Sequence, residues 1–69
     1  MAISYKKLWH ILLDRDMLKK DLQEKAGISS ASITKLAKNE NVNTVILLKV
    51  CKALDCDLSD IMELTDDNE

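Results

Sequence analysis

A single glycine, Gly27, separates two amphipathic segments in a chain that contains no proline. Upstream of it, Leu22 and Ala26 share the inner face of a helix predicted over residues 19–26. Downstream, Ile33, Leu36 and Ala37 mark the inner face of a second helix, predicted over 30–38, with Ser29 supplying an N-cap oxygen. Glycine after the last turn of a helix accommodates positive φ at no steric cost. The segment therefore predicts two short helices joined through Gly27, Ile28 and Ser29, with Ile28 plugging the core beneath the turn. This is the spacing of a helix-turn-helix over residues 19–38.

The rest of the chain is helical in pattern too. Tyr5, Leu8, Trp9, Leu12 and Leu13 form one apolar stripe over 5–15, with Ser4 as its N-cap and His10 on the solvated side. Asn39 stands where a left-handed cap would close the 30–38 helix. Asn43 caps a fourth helix over 44–54, with Leu47, Leu48, Cys51 and Leu54 as its main stripe and Ile46, Val50 and Ala53 beside it. Such girth predicts a central helix, or one that also meets a partner. Asp57 opens a short fifth helix over 58–63, and residues 65–69 read as a polar, acidic tail. The expected fold is all-α, a compact five-helix bundle over 1–64. A β-sandwich would need turn signals every 8–12 residues or so, and they are missing.

Sixty-nine residues make one domain, and a chain this short buries only about 60% of its unfolded surface, so a partner subunit is an expected aid to stability. Cys51 and Cys56 fit a disulfide, half a zinc site, or two free thiols. The last is preferred, with Cys51 in the core and Cys56 packing a loop, because zinc wants four ligands and no second pair exists. No metal or other cofactor is expected. Nor is an enzyme, since one histidine and scattered serines offer no nucleophile, base and oxyanion set. Apolar runs are too short to span a bilayer and no leader pattern opens at Met1, which predicts a cytoplasmic protein with no membrane partner and no evident small-molecule substrate. The net charge of −2 is unevenly spread. Residues 1–38 hold eight Lys/Arg against four acids, whereas 39–69 hold Lys49 and Lys52 against eight. A polarised domain of this kind can turn a basic face to phosphate.

The segment LKKDLQEKAGISSASITKLAKNE, residues 18–40, resembles the phage-repressor family of helix-turn-helix regulators (Cro/cI-like, or Xre-like). TVILLKVCKALDCDLSDIMEL, residues 44–64, is similar to that family's fourth and fifth helices. The resemblance implies a lambda-repressor-like domain that binds double-stranded DNA and regulates transcription, with its second helix across the backbone and its third in the major groove. It places Lys19 at a phosphate, Ser29 as cap of the reading helix, and Ser30, Ala31, Thr34 and Lys35 at base-facing positions. Ser32 and Lys38 fall nearer the backbone, and the amides of 41–44 near another phosphate. Leu58 and Ile61 occupy positions that meet across the family's homodimer, although both residues equally suit the monomer core.

Three positions depart from the family pattern. Gln23 replaces the usual small residue where the two motif helices cross. Leu18 replaces a Thr or Ser cap. Ala37 replaces a Glu whose Arg partner aligns with Leu12, exchanging an ion pair for an apolar contact. The reading helix also lacks the Gln, Asn or Arg that make bidentate base contacts. Specificity is therefore expected to lean on DNA shape and dimer spacing. The competing function is a protein-interaction module, antirepressor or antitoxin-like, without DNA binding of its own.

Overall fold

The computed structural model describes residues 2–65. Five helices follow one another as α1 (Lys6–Asp14), α2 (Lys19–Ala26), α3 (Ser30–Ala37), α4 (Thr44–Leu54) and α5 (Leu58–Ile61). The helices are framed by two short strands, β1 (Ala2–Ser4) and β2 (Glu63–Thr65). The strands pair antiparallel, Ala2 opposite Thr65 and Ser4 opposite Glu63, and were not expected from the sequence. Thr65, expected to open a polar tail, instead ends β2, and its hydroxyl donates to the Ala2 carbonyl at 3.3 Å. The tail residues 66–69 lie outside the described residues. Strand pairing also explains why α5 stops at Ile61: Met62 is already extended at φ −144° and ψ 159°.

The caps follow local chemistry. Gly27 takes φ 69° and ψ 38°, and a Cβ built there would meet nothing within 4 Å, so backbone conformation rather than space selects glycine. Asn39 closes α3 at φ 57°. Its side chain does more than cap, because Oδ1 accepts the Tyr5 N–H at 2.9 Å and ties the start of α1 to the end of α3. Tyr5 is thus the N-cap residue of α1, and Ser4 contributes only by accepting the Lys6 N–H at 3.3 Å. Asn43 caps α4 by accepting the Val45 N–H at 2.8 Å. Leu18 has no oxygen with which to cap α2, but the Asp21 carboxylate reaches back to the Leu18 N–H at 2.9 Å.

Packing turns the faces slightly from the expected ones. The core joins Tyr5, Leu8 and Leu12 of the first segment to Leu22, Ile28, Ile33, Leu36, Leu47, Val50, Cys51, Leu54 and Ile61. Helix α1 lies on α5, and α2 on both α3 and α4. On α4 the buried set is 47, 50, 51 and 54, a single face at i, i+3, i+4 and i+7, which leaves Leu48 61% exposed instead of buried. Ala37 is likewise exposed: it sits about 100° around α3 from Leu36, so no buried apolar contact stands in for the family's ion pair. Leu13, on the expected stripe of α1, is 75% exposed, and Trp9 is half-buried against the core.

The C-terminus of α4 closes with Asp55 in the left-handed region at φ 55°, the Cys56 N–H donating to the Cys51 carbonyl at 3.0 Å. This 6→1 closure brings the fourth-last residue of α4 to the residue after the left-handed cap, and here the pair is Cys51 and Cys56. Both thiols are free. Burial pushes both thiol pKa values up; the neighbouring Asp60 carboxylate adds to this at each, and Asp57 at Cys51. Unfolded thiols ionise from about pH 8.5, while the folded ones hold their protons higher, so the unfolded state binds fewer protons above that point. Stability should therefore be complete below about pH 8 and fall as pH rises from about 8.5 through the folded values. Tyr5, also raised by burial, adds a loss of the same sign at higher pH. Urea midpoints measured from neutral to alkaline pH test this, and a Cys51→Val variant should keep only the Cys56 share of the thiol decline. A midpoint that rises across that interval contradicts it.

Candidate nucleic-acid interface

Helix α3 is two-sided. Ile33 and Leu36 are buried, while Ser30, Ala31, Thr34, Lys35 and Lys38 are exposed and Ser32 is half-buried. The buried pair shares its core with Leu22 of α2 and Ile28 of the turn, which anchors the helix there. Gln23, at the crossing of the motif helices, is half-buried. The candidate face is consequently carried on a rigid element.

Its hydroxyls are partly committed. Ser29 Oγ accepts the Ser32 N–H at 3.2 Å, which satisfies a free amide at the first turn of α3. The Ser29 and Ser32 hydroxyls also share a hydrogen bond at 3.2 Å. Thr34 Oγ1 donates to the Ser30 carbonyl at 3.0 Å, so only its lone pairs and methyl group remain for a ligand. What stays free on this face, among the described residues, is the Ser30 hydroxyl, the Ala31 methyl and the ammonium groups of Lys35 and Lys38. Such a surface can attract an anionic polymer and make a small number of directional contacts.

Lys19, the first residue of α2, is exposed, and its Nζ lies 4.9 Å from the centre of the Trp9 ring. Sequence reasoning assigned Trp9 to the core and missed this contact, because no periodicity links one helix face to the start of the next helix. It also missed the open hollow of about 610 Å³ where Lys35, Asn39, Glu40 and Asn41 meet Ala2, Ile3 and Leu64. That hollow exists because the unforeseen strands stand beside the end of α3.

On α5 the two expected interface residues part company. Leu58 is 41% exposed, whereas Ile61 is completely buried within the monomer. Cys51 is buried and Cys56 half-buried, both as free thiols. Among the described residues no helix is long and apolar enough to cross a membrane.

A model of the Cro/C1-type HTH DNA-binding domain matches residues 7–67. The crystal structure of the transcriptional regulator VanUg is similar to this chain at 48% sequence identity, with a TM-score of 0.87. That similarity covers 94% of this chain and 88% of the other. No curated protein sequence matches at a significant level. With the family model spanning nearly the whole chain and the helix-turn-helix in place at its centre, the chain belongs to the Cro/C1-type helix-turn-helix DNA-binding domains.

Proposed function

We propose that the chain is a sequence-specific, double-stranded-DNA-binding transcriptional regulator that inserts α3 into the major groove and works as a homodimer. The observation that carries this is the two-sidedness of α3: Ile33 and Leu36 hold it to the core while Ser30, Ala31, Thr34, Lys35 and Lys38 face solvent. Family membership supports DNA as the ligand, and the likeness to VanUg supports the regulatory role. In this reading Lys19 meets a phosphate near the α2 N-terminus, where free amides favour anions. Ser29 and Ser32 hold the first turn of α3, and their hydroxyls lie close to the backbone with Lys38. Ser30, Ala31, Thr34 and Lys35 face base edges.

Lys35 is the strongest reader, able to reach guanine O6 and N7, while Ala31 and the Thr34 methyl suit thymine. With the Thr34 proton already used inside the helix, one half-site offers few direct base hydrogen bonds. Two half-sites make up the deficit. Leu58 is the residue offered to a second copy, and Ile61 supports it from inside the monomer. No cofactor, metal or catalysed reaction enters this reading, and its place of work is the cytoplasm.

Selection of bound sequences from a random duplex library tests it. Expected are inverted half-sites about 34 Å apart, one turn of DNA. Enrichment of nothing above background overturns the sequence-specific reading. A single unrepeated motif, together with a monomer in sedimentation at high concentration with DNA present, overturns the homodimer.

A further inference from the structure

We infer that Trp9 is a positioning residue for DNA binding, holding the Lys19 ammonium in place at the start of α2. The inference rests on the proposed phosphate contact of Lys19. A lysine has a long, freely rotating stem, and a contact that confines it loses much of its strength to lost rotamer freedom. Here the ammonium is already placed, 4.9 Å from the Trp9 ring centre, within the range of a cation–π attraction. The ring itself is a fixed platform. Trp9 packs half-buried against the core on α1, next to Leu8, which is fully buried. Trp9 also joins Leu12, Leu13, Met17 and Leu18 in a groove of about 410 Å³, with Lys19 at its lip. The apolar groove gives the lysine stem a surface to lie along while its charge stays at the solvent edge.

This places an aromatic residue of the first helix in the service of a cation on the second. The ring need not touch DNA. It narrows the positions of Nζ before the duplex arrives, and leaves the outer side of the ammonium free to meet a phosphate.

The test uses the full chain and a fluorescein-labelled duplex of mixed sequence, titrated over a series of salt concentrations. Lys19→Ala should weaken binding and reduce the salt slope by about 1 for each protomer bound. Trp9→Leu should weaken binding about two- to fivefold in the native background and leave it unchanged in the Lys19→Ala background. Because Trp9 is the only tryptophan, a ring-fluorinated analogue can replace it cleanly. Fluorination keeps the shape of the ring but weakens its negative face, so it should lower affinity in the native background and not in Lys19→Ala, with the melting temperature unchanged. This arm stands even if Trp9→Leu folds poorly. If fluorination has no effect, or if the changes at Trp9 lower affinity equally in both backgrounds, Trp9 is merely structural and the inference fails. If Lys19→Ala alters neither affinity nor salt slope, the phosphate contact itself falls, and the inference falls with it.

Discussion

Leu36→Ala is expected to destabilise the domain by about 3 kcal/mol or more, lowering its melting temperature by roughly 12–24 °C. Leu36 has no solvent-exposed surface and sits on α3, in the cluster that joins Leu22, Ile28 and Ile33 to Leu47 and Leu54. Truncation to alanine removes apolar burial and leaves a cavity under the helix-turn-helix. Helices on several sides confine that cavity, so collapse can refill it only in part. The total stability of a domain this size is about 3–10 kcal/mol, so a single side chain holds a large share of it. Leu48→Ala is the matched control: the same chemical change at a residue 61% exposed should move stability by no more than about 0.5 kcal/mol. Urea denaturation of both variants checks the pair. Equal losses at the two positions would mean that the core is not centred on the cluster that holds Leu36. A bound duplex should recover part of the loss in Leu36→Ala, since a ligand of the folded state alone stabilises it by mass action.

The five helices and most of their caps were legible in the sequence because those signals are local. Gly27, Ser29, Asn39 and Asn43 each act on backbone within a few residues, and each takes the expected cap position. The β1–β2 pair was not legible. Two three-residue strands show no alternation, and their pairing joins positions about sixty apart. The second role of Asn39, accepting from Tyr5, is hidden for the same reason. Leu48 and Ala37 show a different limit: apolar residues outnumbered the width of the buried face, and only packing decided which of them faced outward. For the candidate site, helical period alone separated the buried Ile33 and Leu36 from the exposed Ser30, Ala31, Thr34 and Lys35. Side-chain commitments could not be read that way. The Thr34 hydroxyl bond to the Ser30 carbonyl and the Lys19–Trp9 contact depend on rotamers and on the meeting of two helices.

Removing Lys19 and Lys35 together should reduce duplex affinity about hundredfold or more at moderate salt. Each neutralised phosphate releases close to one counterion, and each substitution enters twice in a homodimer. The salt slope should accordingly become shallower by about 2 from the Lys19 phosphate contacts of the two protomers, with Lys35 contributing at base edges instead. Both residues are exposed, so folding should be unaffected within about 0.5 kcal/mol. Lys49→Ala/Lys52→Ala removes the same charge from α4, where both lysines are also exposed, and separates local contact from the general field. If the two double variants weaken binding equally, net charge rather than the α2–α3 face governs affinity. The single variants divide the roles further. Lys19→Ala should lower affinity by the same factor on every duplex, because a phosphate contact carries no sequence information. Lys35→Ala should also flatten the preference for guanine at one position of the half-site, a discrimination worth about 1–3 kcal/mol. With the Thr34 hydroxyl proton held by the Ser30 carbonyl, no other side chain at the proposed base-facing positions replaces Lys35 as a donor of comparable reach.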